Sequence, residues 1–399
     1  MKRKMFVLIF VIAGCTVSCT EESNPKFDTD NFTSIFDNNK FDASYFPIDI
    51  QETPDGGFLV LGGRNLEDSN FTGIYLLKAD EFGNFVKEID VDEGSVHPIG
   101  KLTAIQGRYY FFCMDPVTQV AQIVDVDAAL EAVNITAVQG GLTYPAAATY
   151  VDNGFALLSY DNGSKESVIS LVSISGGVQA SKGYSIGTGE DIEEPIINHY
   201  IRTGRQYPFE VGRVSSSLYF FNGFYNYTFS LVFTNISSDD PAGVVQGQHD
   251  DGGFSAVTPL GGNKFASSRF NFGDNYILPN NDLSVSGNTI STDLGGYSLP
   301  EMVENARVKI LRATIDSKNV LIYGTDTKSK QIGLLFYEES SGTFLSSEYL
   351  GFSNPFEIAN LIQTSDGGLA VCGTTYLAGR FPRICIFKLS KDKLTGKVN

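Results

Sequence analysis

The chain contains 399 residues, 42% of them hydrophobic and 19% charged, with a formal net charge of −17. This composition excludes a disordered chain, and the length allows one large repeat domain or two to three ordinary domains. The acidic balance, with no Lys and Arg cluster after Lys4, argues against a nucleic-acid partner, because phosphate backbones are bound by clustered basic residues. The 41 glycines, 30 phenylalanines and 19 tyrosines suit strands and tight turns, so we predict an all-β fold.

The N-terminus has the pattern of a secretory signal. Three basic residues at 2–4 precede a continuous apolar stretch at 5–12, which is too short to span a membrane as a helix. The sequence Ile-Ala-Gly-Cys at 12–15 resembles the lipobox of bacterial lipoproteins. That resemblance implies that 1–14 is a lipoprotein signal peptide and that Cys15 becomes a lipidated N-terminus anchored in a membrane.

Two alternatives stay open at this boundary: lipidation of Cys19, or an ordinary cleaved signal without lipid. Glu21 and Glu22 follow closely and resemble the surface-export signal of Bacteroidetes lipoproteins. This resemblance implies a place on the outer face of the outer membrane. The polar stretch 15–31 contains Pro25, so we expect a lipidated N-terminus followed by a flexible tether.

Two distant segments repeat one pattern. Thr53–Gly63 (TPDGGFLVLGG) matches Thr364–Thr374 (TSDGGLAVCGT) without a gap, and each is followed by a strand-like stretch with a lysine at its end, Lys78 or Lys388. Asp-Gly-Gly is a turn signal between an incoming and an outgoing strand. The pattern therefore predicts two hairpins of the same plan.

Weaker copies of the pattern lie between these two. They begin at Ile105, Val151, Val214, Thr258 and Ile315. A spacing of about 50 residues is usual for a four-stranded propeller blade. We predict seven blades, or six if the region 253–297 belongs to an irregular blade.

The Asp-Gly-Gly pattern also resembles the propeller-like repeats of secreted Bacteroidetes proteins, and this resemblance implies a β-propeller domain over 32–399. A ring needs strands from both termini in its last blade, and Phe32–Phe36 is the candidate closing strand. Two β-sandwich domains remain an alternative, because they also contain many short strands. Only Asp127–Val133 and Pro300–Ala306 have a short helical pattern.

The usual catalytic patterns are missing from the sequence. It has three histidines, no Gly-x-Ser-x-Gly elbow, no HExxH pair and no P-loop, so we predict no catalytic residue. Cys113, Cys372 and Cys385 lie in strand-like stretches without metal-type spacing, and we expect neither a metal nor a cofactor. Cys372 and Cys385 are expected to be separate core thiols, with a disulfide across their hairpin as the alternative.

One polar segment is a candidate ligand-facing loop, because loops at one face of a propeller converge on the central channel. Its candidate residues are Glu190, Asp191, Glu193, Glu194, His199 and Arg202. The alternative is a solvated loop between blades. The acidic pairs 239–240 and 250–251 lack the spacing of an EF-hand and are expected in solvated turns. The aromatic run 219–227 offers rings either to sugars or to the core.

These features predict a non-enzymatic cell-surface lipoprotein whose propeller binds a protein partner or ligand. Resemblance to Bacteroidetes surface proteins implies an accessory subunit of an outer-membrane uptake or assembly complex. One alternative is a surface protein that binds a glycan or peptide. Another is a propeller glycoside hydrolase or lyase, which requires channel carboxylates about 5–10 Å apart.

Overall fold

A computed structural model describes residues 30–37, 44–377 and 381–399. In this part of the chain, 29 strands are accompanied by two α-helices and two short 3-10 turns. The strands pair antiparallel, apart from one parallel contact. The chain therefore folds as a succession of meanders.

The strands are named in chain order and grouped into sheets. The first strand, β1 (Phe32–Phe36), is separated in sequence from its partners. Sheet 1 contains β2 (Tyr45–Glu52), β3 (Phe58–Asn65), β4 (Thr72–Ala79) and β5 (Phe85–Asp90). Sheet 2 contains β6 (Val96–Ile105), β7 (Arg108–Met114), β8 (Ala121–Asp127) and β9 (Val133–Ala137). Sheet 3 contains β10 (Pro145–Val151), β11 (Gly154–Asp161), β12 (Glu166–Ser173) and β13 (Val178–Ser185).

The helix α1 (Glu190–Tyr200) separates these sheets from the rest. Sheet 4 contains β14 (Glu210–Ser215), β15 (Leu218–Tyr225), β16 (Thr228–Thr234) and β17 (Gly243–Gln246). Sheet 5 contains β18 (Gly252–Gly261), β19 (Lys264–Asn271) and β20 (Asp274–Asp282); then β21 (Gly287–Ile290) pairs with β17, and β22 (Tyr297–Ser298) returns to β20. Sheet 6 contains β23 (Val308–Ile315), β24 (Lys318–Asp326), β25 (Ile332–Glu338) and β26 (Phe344–Leu350). Sheet 7 contains β27 (Phe356–Gln363), β28 (Leu369–Leu377) and β29 (Phe381–Leu389), and α2 (Lys391–Val398) ends the chain.

These sheets are arranged around a central axis. Sheets 1 and 2 are joined by a single residue pair, Gly73 with Val96, and are otherwise separate meanders. The innermost strands β2, β6, β10, β14, β18, β23 and β27 contact one another in that order, and β27 contacts β2 again. A closed ring of such sheets is a β-propeller. The predicted propeller is confirmed, and the alternative of two β-sandwich domains is wrong.

The two ends of the chain close the ring together. Strand β1 pairs antiparallel with β29, from Phe32 opposite Lys388 to Phe36 opposite Ile384. The Asn31 side chain also accepts a hydrogen bond from the Ser390 amide at 2.9 Å. The predicted closing strand is therefore confirmed.

The repeated Asp-Gly-Gly turns in sheets 1 and 7 have the same internal contacts. Gly56 and Gly367 adopt positive φ values of 78° and 81°, which glycine reaches without steric cost. In the first turn, Lys78 lies 2.7 Å from Asp55 and donates to the Thr53 hydroxyl. In the second, Lys388 contacts Asp366 at 2.7 Å and Thr364 at 2.5 Å. The lysine at the end of each second strand thus fastens the preceding turn.

Both faces of each sheet are apolar where neighbouring sheets pack together. Side chains alternate along a strand, so Val60 of β3 packs toward sheet 7 and Leu61 packs toward sheet 2. The same alternation separates two cysteines: Cys372 packs with sheet 1, and Cys385 packs with sheet 6. Both are free thiols, so the two-thiol interpretation is confirmed and the disulfide alternative is wrong.

The two short helical predictions are wrong. Asp127 ends β8, and its carboxylate accepts hydrogen bonds from the amides of Glu131 and Ala132 at 2.8 and 3.1 Å, which stabilises a turn. Leu130 has a φ of 56°, outside the helical region. In the segment Pro300–Ala306, Met302 forms a β-bridge with Thr327 instead.

The C-terminal helix α2 was not predicted, although its sequence carries a start signal. The Ser390 hydroxyl accepts a hydrogen bond from the Lys393 amide at 3.2 Å, which is an N-cap. Leu394 and Val398 are spaced to share a helix face, and both are buried between sheets 6 and 7. Tertiary burial therefore stabilises a helix that is too short to persist alone.

Candidate functional site

The predicted ligand-facing loop is a helix. Residues Glu190, Asp191 and Glu193 lie in the first turn of α1, where negative charge interacts favourably with the helix dipole. Ile192, Ile196 and Tyr200 recur every four residues on one face and are buried. The sequence predicts a loop here because acidic residues dominate the segment, and the apolar residues spaced by four are few.

Helix α1 lies across one end of the ring. Its buried face belongs to a cap cluster that also includes Leu66, Val96, Met114, Tyr160, Phe224 and Phe270. Five of these six residues lie at or just beyond the end of the second strand of a sheet, from sheet 1 to sheet 5. Equivalent strand ends of a propeller share one face, so α1 packs on that face of the ring against sheets 1 to 5.

Two histidines are buried where this helix packs on the ring, His199 in α1 itself and His97 at the start of β6. The rings of His97 and His199 are 5.5 Å apart, and Tyr200 lies 4.7 Å from His97. The amide of Tyr207 donates a 2.9 Å hydrogen bond to His199 Nδ1. Burial lowers the pKa of His97 to about 4, and burial together with His97 lowers the pKa of His199 well below its usual range. Both rings are neutral at pH 7 and belong to the packing.

The six candidate residues of the segment lie in different environments. His199 is buried rather than ligand-facing, because its helix face packs on the ring. Glu193 pairs with Lys165 at 2.6 Å, and the Arg202 amide donates to the Asn70 carbonyl at 2.8 Å, which ties the helix end to sheet 1. Glu190 is exposed. Asp191 and Glu194 line a cavity described below.

That cavity has a volume of about 350 Å³ and lies between α1 and the loops before sheets 4 and 5. His249 lies 3.1 Å from Asp250 and 3.8 Å from Asp191. Arg205 stacks over Tyr207 at 4.9 Å and lies 3.7 Å from Asp250. The cavity is therefore charged and internally paired. Its walls come from segments about 50 residues apart, which no local pattern connects.

The predicted solvated turns contain paired aspartates. Asp239 accepts a 2.5 Å hydrogen bond from Lys182. Asp251 lies 3.6 Å from Arg205, beside Asp250. Among the described residues, no group of three His, Cys, Asp or Glu side chains is arranged to hold a metal ion.

Three carboxylates near the axis join neighbouring sheets. Asp49 of β2 accepts hydrogen bonds from the Leu102 amide of β6 at 2.6 Å and from the Asn360 side chain of β27. Glu210 of β14 accepts from the Val257 amide of β18 at 2.7 Å.

The third carboxylate, Asp326 of β24, accepts a hydrogen bond from the Ile358 amide of β27 at 2.6 Å. Burial raises the pKa of Asp49 and Glu210, and it raises the pKa of Asp326 to about 6. In each case a backbone N–H of a neighbouring inner strand occupies an oxygen of the carboxylate. The three acids therefore hold adjacent sheets together.

A second cavity, the aromatic groove, has a volume of about 530 Å³ and lies between the outer parts of sheets 5 and 6. It is lined by Tyr297, Glu301, Tyr337, Phe344 and Tyr349, among others. The aromatic run 219–227 is different, because Tyr219, Phe220, Phe221 and Phe224 are buried there. Core packing therefore accounts for these four rings, whereas Tyr227 of the same run is 47% exposed.

The predicted lipidation and export residues lie outside the described residues. These are Cys15, the alternative Cys19, Glu21 and Glu22. None of the helices in the described ranges has the length and apolar character needed to cross a bilayer.

No protein-family model and no curated protein sequence matches the chain. Solved structures resemble it in fold. The β-propeller domain of the Trilobed protease from Pyrococcus furiosus covers 86% of this chain and 93% of its own, with 8% identity and a TM-score of 0.43. Prolyl oligopeptidase B from Galerina marginata covers 91% of this chain with 10% identity and a TM-score of 0.46, and the match spans 52% of that enzyme. The WD40 domain of coronin from Toxoplasma gondii covers 70% of this chain and 68% of its own, with 10% identity and a TM-score of 0.41.

Proposed function

We propose that the protein is a non-enzymatic cell-surface lipoprotein whose propeller recognises a partner or ligand, as an accessory subunit of an outer-membrane uptake or assembly complex. The proposal combines the lipobox-like sequence ending at Cys15 with the rigid ring of sheets. The observation that carries the non-enzymatic part is the use of the axial carboxylates as acceptors for backbone amides of neighbouring strands.

A general acid or base must reach a proton on its substrate within hydrogen-bond distance. Asp49 is fully buried and already accepts hydrogen bonds from the Ile50 and Leu102 amides. Freeing it for a substrate would leave buried N–H groups unpaired, at a cost of about 1–3 kcal/mol each. The buried pair His97 and His199 is likewise enclosed by the cap cluster. Asp49, Glu210, Asp326 and the two histidines thus serve the fold, which favours recognition at other surfaces.

The test is a mild-detergent pull-down of the tagged, lipidated protein from its native outer membrane, with identification of all copurifying proteins. We expect a stoichiometric outer-membrane barrel or another envelope protein. A matched sample carrying Cys15→Ala and Cys19→Ala together removes both candidate lipid sites and controls for association after lysis. Recovery of the wild-type protein alone would contradict the accessory-subunit role.

A further inference from the structure

The aromatic groove presents three exposed aromatic rings. Tyr297, Phe344 and Tyr349 have exposed fractions of 63%, 53% and 38%, and all three line the same cavity. Isolated exposed rings are ordinary on protein surfaces, but a contiguous set around a concave site marks a place of recognition. The three rings therefore indicate a ligand that presents an apolar face.

The floor of the groove is closely packed. Tyr337 is 3% exposed, and its ring lies 5.4 Å from both Phe344 and Tyr323 in edge-to-face contacts. Phe344 is consequently held from one side while its other side faces solvent. When a ligand stacks on Phe344, the protein would therefore lose little side-chain entropy.

Polar groups stand beside the rings. Glu301 accepts a 2.9 Å hydrogen bond from the Tyr349 hydroxyl. The backbone at Glu301 is fixed, because its carbonyl accepts from the Lys328 amide at 2.8 Å and Lys328 Nζ donates to the Pro300 carbonyl at 2.6 Å. The carboxylate thus has a defined position at the wall of the groove.

The charge of the lining restricts the ligand. Glu301 is the single charged residue among the described residues that line the groove, and its exposed carboxylate is an acceptor for hydroxyl groups. Burial and the hydrogen bond to Glu301 raise the pKa of Tyr349, so its hydroxyl remains a neutral donor at pH 7. The lining therefore suits a ligand with hydroxyl donors and disfavours an anionic one.

We propose that the aromatic groove binds a neutral pyranose ring of a glycan. The apolar C–H face of the sugar would stack on Tyr297 or Phe344, while its hydroxyls would donate to Glu301 and exchange hydrogen bonds with Ser347. A volume of about 530 Å³ lies within the usual range of small-ligand sites. The inference rests on the proposed function in one respect, because it names a ligand class for a recognition surface.

The test uses saturation-transfer NMR on the full lipidated chain, held in a detergent that contains no sugar headgroup. The probes are the methyl glycosides of glucose, galactose and mannose at millimolar concentration. We expect saturation of at least one glycoside by the wild-type protein. The Tyr297→Ala, Phe344→Ala double variant should weaken the apparent Kd by roughly tenfold or more, because both stacking faces are lost. Phe272→Ala removes a 69% exposed ring outside the groove and should leave binding unchanged.

The Glu301→Gln variant adds a second readout, since the amide keeps one acceptor oxygen and loses the charge. A few-fold loss of affinity is expected for this change. Silence of all three glycosides with the wild-type protein would overturn the inference, as would equal binding by the double variant or binding of a peptide in their place. An envelope partner recovered without sugar binding would leave the proposed function intact. Sugar binding without a copurifying envelope partner would support the groove as a glycan site and contradict the accessory-subunit role.

Discussion

At the residue scale, the repeated lysines and aspartates stabilise the Asp-Gly-Gly turns. Lys78 is 3% exposed, and Asp55 and Thr53 supply its hydrogen-bond partners. Although desolvation opposes ionisation, the hydrogen bonds from Lys78 and Thr53 lower the pKa of Asp55 to about 2. The charged form of Asp55 is therefore stabilised by the fold.

We predict that Asp55→Asn lowers the free energy of unfolding by about 1 kcal/mol, because Asp55 is largely solvent-exposed and screening limits the gain of the pair. Thermal or urea unfolding at pH 7 measures the change, and Asp68→Asn, at an exposed loop position, is the control. A double-mutant cycle with Lys78→Met isolates the pair. Additive effects in that cycle would rule out the fastening role.

The buried histidines predict acid sensitivity. The pKa of His97 is lowered to about 4 in the folded state, so the unfolded chain binds a proton at higher pH than the folded chain does. The contribution of His97 to the free energy of unfolding is then fully present above about pH 6.5, and it is lost as the pH drops toward 4. The loss of stability expected from His97 is on the order of 3 kcal/mol, because one pKa unit corresponds to about 1.4 kcal/mol.

The variant His97→Asn removes this titration and tolerates the φ of 55° at the position. Chemical denaturation from pH 7 to pH 4 should show a shallower decline for this variant than for the wild-type protein. Asp326→Asn is the contrasting variant, because burial raises the pKa of Asp326 to about 6 and its stabilising effect is lost as the pH rises. Identical slopes for His97→Asn and the wild type would exclude the histidine explanation.

At the element scale, β1 is the connection that closes the ring. Ile35 lies opposite Cys385 in β29 and packs against the core between sheets 6 and 7, while Thr33 of the same strand is exposed. Thr33 and Ile35 point to the same face of the strand, because side chains alternate, but only Ile35 is covered by the core.

Ile35→Asp should destabilise the fold by about 2 kcal/mol or more, since it places a charge against apolar side chains without a partner. Thr33→Asp introduces the same residue into the same strand and should change stability by less than about 0.5 kcal/mol. Thermal melts and hydrogen exchange of the β29 amides measure both. Equal effects of the two substitutions would show that closure does not depend on this packing.

The elements that the sequence predicted correctly are those whose patterns involve only neighbouring residues. The Asp-Gly-Gly turns and β1 follow from turn chemistry and strand propensity. Helix α1 was missed because Glu190, Asp191 and Glu193 dominate its composition, while the spacing of Ile192 and Ile196 acquires meaning only against the end of the ring. The interior position of His199 follows from the same packing.

At the scale of the whole molecule, the rigid ring contrasts with the predicted lipid anchor at its N-terminus. We predict that Cys15→Ala moves the protein from the membrane fraction to the soluble fraction and removes the mass of the acyl chains, because several chains are needed for firm anchoring. Fractionation with intact-mass spectrometry measures this. Loss of the lipid on Cys19→Ala instead would select the alternative site.

The sequence by itself determined the features that depend on neighbouring residues: an all-β composition, the two Asp-Gly-Gly hairpins, the closing strand Phe32–Phe36 and the lipobox-like pattern at Cys15. Only the tertiary structure decided which residues meet across the ring. It joined Asp49 to Leu102 and Asn360, buried His199 on the face of α1 that packs on the ring, and brought Tyr297 of sheet 5 beside Phe344 and Tyr349 of sheet 6. These contacts join residues far apart in sequence, and the packing of whole sheets, rather than any local pattern, brings them together.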